Sequence, residues 1–204
     1  MITIIDYGVG NIFAFQNVYK RLDIPTRIAK TVKDLENVDK LILPGVGHFD
    51  FAMSQLNNSG MRERLDELVI IKKKPIIGIC VGMQMMAKKS DEGTVTGLGW
   101  IEADVKKFDA STIEFHTKLP HMGWNDVDPI LNHPLFEGLE KDAIFYFLHS
   151  YYFNCNNNNE IISKSEYGIK FASGVQHENI YGIQFHPEKS HSSGERLLHN
   201  FAKL

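Results

Sequence analysis

Short apolar runs alternate with amphipathic segments over the first 90 residues of the chain. The run at 2–5 and the residues at 26–29 predict strands, the run at 75–80 predicts a fully buried strand, and the run at 40–50 predicts a buried strand that ends in a Pro/Gly loop. Residues 12–22 place apolar side chains about every 3.6 residues, which predicts a helix. Buried strands that alternate with helices are typical of βαβ units and a mostly parallel sheet.

Two further segments of this half also predict helices. Residues 60–72 mix apolar and charged positions, and residues 82–90 directly follow a predicted strand. Asn11 precedes the helix predicted at 12–22 and has a side chain that helix N-caps prefer. We therefore expect Asn11 to cap that helix.

After about residue 94 the pattern changes to strands that follow one another, with turn-rich segments between them. The predicted strands lie at 99–107, 112–116, 143–149, 160–166, 169–176 and 180–185. A helix from 193 to about 203 closes the chain. Since no linker separates the two halves, we predict a single α/β domain over residues 1–204 with a mixed, largely parallel sheet.

Composition and charge exclude several classes of protein. The chain has 204 residues, 43% of them hydrophobic, which is enough for one sizeable core. A net charge of −3 without a basic stripe argues against a nucleic-acid partner. No apolar run is long enough to predict a membrane span, and the N-terminus lacks the basic leader of a signal peptide. The two cysteines cannot form a zinc framework, and free thiols suggest a cytoplasmic setting.

Cofactor and metal sites are also poorly supported. The segments GVGNIF at 8–13 and GVGHFD at 45–50 begin like dinucleotide-binding loops but lack the third glycine. No H-x₃-H or HExxH spacing occurs among His116, His121, His133, His149 and His177. We therefore expect neither a cofactor nor a metal ion.

A nucleophile is predicted at Cys80. It stands between Gly78 and Gly82, after a predicted buried strand and before a predicted helix, and this is the nucleophile-elbow pattern with cysteine in place of serine. The glycines permit the tight turn that presents the side chain above the sheet edge. The start of a helix also favours the thiolate form.

A base for this nucleophile is predicted at His186, which ends an apolar run. Glu188 lies two residues further on, and side chains at i and i+2 of an extended chain point to the same side. The carboxylate can therefore orient the imidazole ring, while the ring takes the proton of the thiol. We predict a Cys80–His186–Glu188 triad.

These residues belong to motifs that resemble the class I, or triad, glutamine amidotransferases. Six motifs, in chain order, are similar to those of one branch of that family, the glutaminase subunits of imidazole glycerol phosphate synthase. They are DYGVGN, LPGVGHF, GICVGMQ, LPHMGWN, FLHSYY and QFHPEKS, and they span residues 6 to 190. The resemblance implies a three-layer, flavodoxin-like α/β fold and hydrolysis of glutamine through a thioester on Cys80.

The resemblance also implies further site residues. The backbone of Gly45, Val46 and Gly47, together with the N–H of Val81, would form the oxyanion-binding site. Such preorganised donors stabilise the charge that develops on the tetrahedral oxygen. The positions that match glutamine-binding residues of the family are Gln84, Glu92, Ser150 and Tyr151.

A partner is implied in the same way. In the family branch, a cyclase subunit with a (β/α)₈ barrel docks over the glutaminase site and receives ammonia, so we expect a heterodimer. The positions that match residues at or near that interface are Asn11, His121, Met122, Trp124, Tyr146 and Lys189.

Three functions remain open at this level. The first is glutamine hydrolysis for synthesis of imidazole glycerol phosphate and an aminoimidazole carboxamide ribotide in histidine biosynthesis. The second has the same chemistry but supplies ammonia to an amidino-sugar system of surface polysaccharides. The third is a catalytically silent regulatory subunit, which the intact triad residues argue against.

Overall fold

The computed structural model describes residues 1–114, 118–130, 132–141 and 143–204. In chain order, the strands are β1 (Ile2–Ile5), β2 (Thr26–Ala29), β3 (Lys40–Gly45), β4 (Ile76–Cys80), β5 (Lys89–Ser90), β6 (Ala103–Lys107), β7 (His121–Asp126), β8 (Asp128–Pro129), β9 (Ile144–His149), β10 (Tyr151–Cys155), β11 (Ile161–Tyr167), β12 (Ile169–His177) and β13 (Ile180–Ile183). The helices are α1 (Ile12–Arg21), α2 (Phe49–Asn58), α3 (Arg62–Asp66), α4 (Val81–Gln84) and α5 (His191–Lys203).

Five neighbouring strands form a parallel block in the order β2-β1-β3-β4-β13. Every residue of β1 and β4 is buried, as expected for strands covered on both faces. Helix α1 contacts α5 and strands β1 and β2, whereas α2 contacts α4, which packs on β3 and β4. The predicted α/β fold with a mixed sheet is confirmed.

Antiparallel strands continue the sheet beyond β13. Strand β12 pairs with β13 and with β10, β10 pairs with β6, and β11 pairs with β12. Strands β7 and β9 form a separate two-stranded sheet. This small sheet adjoins the chain end of β13, because the N–H of His186 bonds to the carbonyl of Tyr146 on β9.

Several predicted elements differ from the observed ones. The helix predicted at 82–90 is only the short α4, because the carbonyls of Met85, Met86 and Ala87 accept hydrogen bonds from residues 97–101 instead of continuing a helical ladder. The segment predicted as one helix at 60–72 consists of the short helix α3 and a π-helical turn at Glu67–Ile71 that follows it.

The strand predicted at 112–116 is also wrong for its described part, since Ala110–Thr112 is a 3₁₀ turn and residues 113–114 are irregular. Residues 115 and 116 lie outside the described residues. Asn11 occupies the N-cap position of α1, but its side chain makes no capping hydrogen bond. Helix α2 and strands β5, β7, β8 and β10 were not predicted.

Candidate active site

Cys80 lies on a sharp turn between β4 and α4. Its φ of 55° is unusual for a residue with a side chain, and such strained positions cluster at functional sites. The flanking glycines are required by close packing. A Cβ atom at Gly78 would lie 2.7 Å from the carbonyl oxygen of Gly82, and one at Gly82 would lie 2.0 Å from the carbonyl oxygen of Leu43. The structure therefore has the geometry predicted for the elbow.

His186 follows β13 and carries its carboxylate partner on the next turn. Its Nδ1 donates to Oε1 of Glu188 at 2.8 Å, and the two side chains are only 3% and 2% exposed. The contact was predicted from an extended i, i+2 geometry, whereas Pro187–Lys189 form a 3₁₀ turn. Because Nδ1 donates to the carboxylate, Nε2 is the ring nitrogen left for a proton exchange.

The sulfur of Cys80 lies close enough to the imidazole ring of His186 to influence the pKa of that ring. Burial alone would lower the pKa of His186, but the negative charge and hydrogen bond of Cys80 and those of Glu188 outweigh it and raise the pKa to about 10. A proton on the ring is therefore favoured while the sulfur is negatively charged. This arrangement can generate a nucleophile and later protonate a leaving group.

A cleft of about 280 Å³ opens above these side chains. Its lining contains Cys80 and His186 together with the predicted residues Val46, Gly47, Val81, Gln84, Glu92, Ser150, Tyr151 and Lys189. Gly45 ends β3 outside this lining, where an added Cβ would lie 2.3 Å from the N atom of Gly82. The cleft thus brings together residues from five separate motifs.

Three lining residues were missed from the sequence: Pro120, Leu148 and His149. The motifs LPHMGWN and FLHSYY contain all three, so their signal was present but was assigned to neighbouring positions. His149 is 6% exposed, and its pKa falls to about 3 because the ring is buried and faces His121. It is therefore a neutral ring near His186.

Two of the predicted substrate-binding side chains also hold the cleft together. Gln84 is 2% exposed, and its Nε2 donates to the carbonyl of Tyr151 at 3.1 Å. The carboxylate of Glu92 accepts from the N–H of Phe49 at 2.8 Å, at the start of α2. Both residues are thus anchored to the backbone at the cleft wall.

The surface around the cleft mouth carries an apolar face on the β7–β9 sheet. Met122 is 61% and Trp124 is 50% exposed, and they pair in register with Leu148 and Tyr146. The ammonium group of Lys189 lies 5.6 Å from the centre of the Tyr146 ring, a cation–π contact.

His121 was expected on the same surface but lies on the opposite face of β7, where it is buried. Adjacent residues of a strand point to opposite sides, so His121 cannot share the exposed face with Met122. Asn11 is exposed at the start of α1.

Comparison with known proteins agrees with this geometry. The model of the glutamine amidotransferase class-I family matches residues 4–204. The chain is 53% identical to the imidazole glycerol phosphate synthase subunit HisH of Bdellovibrio bacteriovorus and 50% identical to that of Leptospira interrogans, over the full length of both proteins in each case. A crystal structure of a glutamine amidotransferase matches the fold with a TM-score of 0.75 at 19% identity, covering 99% of this chain and 97% of that one. The chain belongs to the class-I glutamine amidotransferase family.

Proposed function

We propose that this chain is a glutaminase subunit that releases ammonia from glutamine for imidazole glycerol phosphate synthesis in histidine biosynthesis. One observation carries the chemistry: Cys80 and His186 line a single cleft, and the ring of His186 donates to the carboxylate of Glu188. The acceptor pathway is supported by the relatives, which carry the name of that synthase's subunit at up to 53% identity across the whole chain.

The reaction follows from the positions of these three side chains. The sulfur of Cys80 attacks the side-chain amide carbon of glutamine, and the carbonyl electrons move onto oxygen. His186 gives its proton to the leaving nitrogen, so ammonia departs and a glutamyl thioester remains. His186 then takes a proton from water as the water attacks the thioester, which releases glutamate and frees the sulfur. Glu188 keeps the ring oriented throughout.

Backbone donors beside the sulfur are assigned to the tetrahedral oxygen. Val81 is the first residue of α4, so its N–H has no partner within the helix. Val46 and Gly47 line the cleft directly after Gly45, the last residue of β3, and Gly47 has a φ of +84°. Losing one such donor costs about 2.7–4 kcal/mol in comparable hydrolases. Gln84, Glu92, Ser150 and Tyr151 are assigned to the bound glutamine, since they line the same cleft.

The exposed face of β7 and β9 is assigned to the ammonia acceptor, a cyclase subunit of (β/α)₈-barrel type. Support comes from its position at the cleft mouth and from two large apolar side chains, Met122 and Trp124, left exposed there. Tyr146 and Lys189, which contact each other beside this face, and Asn11, which is exposed at the start of α1, complete the proposed contact residues. His121 lies buried on the opposite side of β7.

The whole chain of residues 1–204 is proposed to act as one domain, because one continuous cluster of buried apolar residues connects its strands and helices. None of the described helices is long and apolar enough to cross a membrane. A cytoplasmic setting suits the chemistry, which needs a reduced nucleophile, and both cysteines are free thiols.

Purification of the chain with its partner, followed by a glutamate-release assay, tests the proposal. A co-purifying barrel cyclase whose nucleotide substrate stimulates glutamate release supports it. A partner from sugar amidination would replace the histidine pathway with the polysaccharide pathway. Absence of glutamate release with partner and acceptor present would leave only the silent regulatory role.

A further inference from the structure

Gln184 is a fully buried polar residue next to the nucleophile. It lies between β13 and His186, and its backbone N–H bonds to the carbonyl of Ser173 at 2.9 Å. Its side-chain Nε2 lies 3.7 Å from Sγ of Cys80, within hydrogen-bonding distance for sulfur. Its Oε1 accepts from Nε2 of Gln84 at 3.0 Å.

Hydrogen bonding fixes the orientation of this amide. Nε2 of Gln84 also donates to the carbonyl of Tyr151, so the Gln84 group that faces Gln184 must be a donor. Gln184 must therefore turn its oxygen to Gln84, which leaves its NH₂ group facing the sulfur. A reversed amide would set two NH₂ groups against each other.

A chain of hydrogen bonds connects the Gln84–Gln184 pair to residues of β7. The carbonyl of Tyr151 also accepts from Nδ1 of His149 at 2.8 Å, and Nε2 of His149 therefore accepts from Nδ1 of His121 at 3.0 Å. Nε2 of His121 then accepts from Asn125 at 3.2 Å. Each ring is neutral in this arrangement, because each has one donating and one accepting nitrogen.

The sulfur also has an acceptor beside it. The thiol of Cys80 can donate to the carbonyl of Leu148 at 3.9 Å, and that contact favours the protonated form. A thiolate has no proton to donate, so its negative charge is left beside the partial negative charge of the Leu148 carbonyl oxygen. The amide of Gln184 is the complementary contact, because an N–H donor binds a thiolate more strongly than a thiol.

We propose that Gln184 is a further catalytic residue, whose side-chain N–H binds the Cys80 sulfur, favours its anionic form and directs it towards the cleft. Gln84 acts as the positioning residue that keeps the Gln184 amide in the required orientation. This inference rests on the proposed role of Cys80 as the nucleophile.

Alkylation of Cys80 by iodoacetamide at neutral pH tests the contact without any substrate. Burial and the nearby Glu160 raise the pKa of Cys155 to about 12, so the second thiol reacts slowly, and a Cys155→Ser background removes it entirely. Gln184→Met removes the donor at similar volume, and Gln184→Glu replaces it by an acceptor. We expect Cys80 to be alkylated about tenfold more slowly in either variant than in the parent. A tenfold change in rate corresponds to the lower end of the free energy that a hydrogen bond to a charged group contributes.

Gln176→Met is the matched control. Gln176 lies on β12, where its side chain bonds to His133 and to the carbonyl of Glu178, away from the cleft. In the Gln176→Met variant, Cys80 should be alkylated at the parental rate. In the glutaminase assay with partner, the Gln184 variants should lose kcat about tenfold with KM little changed, because the contact is to the reacting sulfur and not to the substrate.

A parental alkylation rate in a folded Gln184 variant would overturn the proposal, as would an equal loss in Gln176→Met. If both Gln184 variants fail to fold, Gln84→Met tests the proposal in their place. It removes the donor that holds the Gln184 amide, so the amide can turn and alkylation of Cys80 should be slower. A parental alkylation rate in Gln84→Met would overturn the proposal. Failure of the proposed function gives a different result, namely glutaminase activity that survives Cys80→Ser.

Discussion

Helix α4 packs closely on β3 at Gly82, so Gly82→Ala tests whether this close packing fixes the position of Cys80. An added Cβ would lie 2.0 Å from the carbonyl oxygen of Leu43, whereas ordinary contacts begin near 3.4 Å. The obstacle is backbone of a central strand, so it cannot turn aside as a flexible side chain would. Helix α4 must therefore retreat by about 1.4 Å from the strand.

That retreat carries the proposed nucleophile with it, because Cys80 is the N-cap residue of α4. A misplacement of about 1 Å can cost roughly 100-fold in rate, and overpacking typically costs about 1–3 kcal/mol of stability. We therefore expect Gly82→Ala to lower glutaminase kcat by about 100-fold. The assay is glutamate release in the presence of the partner, with thermal unfolding measured in parallel.

Gly60→Ala is the control that separates displacement from stability. Gly60 follows α2, has a φ of +72° and no atom near its missing Cβ, so alanine there strains the backbone without pushing on the elbow. We expect a loss of about 1–2 kcal/mol in stability and no loss of turnover. Full activity in Gly82→Ala, or an equal loss of activity in Gly60→Ala, would refute the reasoning.

The other predictions concern the nucleophile, acid stability and the partner face. Cys80→Ser or Cys80→Ala should abolish glutamine-dependent turnover of the complex but preserve turnover supplied with ammonia, while Cys155→Ser should preserve both; joint loss of the two activities would contradict this separation. Burial lowers the pKa of His149 to about 3 and that of His121 to about 4, so the unfolded chain binds more protons below pH ~6.5. The free energy of unfolding should therefore be constant above pH ~6.5 and fall by up to about 1.4 kcal/mol per pH unit for each ring between pH ~6.5 and ~4. Denaturant unfolding of His121→Gln should show a shallower fall over this range. An unchanged slope in that variant would exclude the His121 ring as a cause. Trp124→Ala should weaken partner binding by about 30-fold in calorimetry, as expected of an aromatic anchor, whereas Ile130→Ala, also about half exposed, should bind normally.

Local patterns were sufficient for much of the parallel block. Strands β1 and β2 were predicted at their observed bounds. Strand β1 is a short, mostly apolar run before a turn, and such a run admits few other structures. The elbow was predicted for the same reason, since its glycines, cysteine and flanking strand are contiguous. The His186–Glu188 pair was also found, although a 3₁₀ turn and not an extended strand brings the two side chains together.

Elements whose hydrogen bonds go to distant segments were predicted poorly. The residues after Gln84 resemble a helix by composition, but their carbonyls bond to residues 97–101. Strand β7 was missed because it depends on pairing with β9, and the same pairing turns His121 inward. The local period of apolar residues in β7 does not reveal this pairing, although the strand that becomes β9 was predicted at 143–149.

The sequence by itself determined the chemistry of this protein, since the identity and spacing of residues around Cys80 and His186 limit what each motif can do. Tertiary structure decided which of these motifs meet. Strand β13 pairs with β4, and this pairing alone sets His186 and Gln184 beside a sulfur about a hundred positions earlier in the chain. The reason is physical: a side chain's reactivity and a strand's local preference are short-range properties, whereas strand order and buried hydrogen-bond partners depend on packing the entire sheet at once.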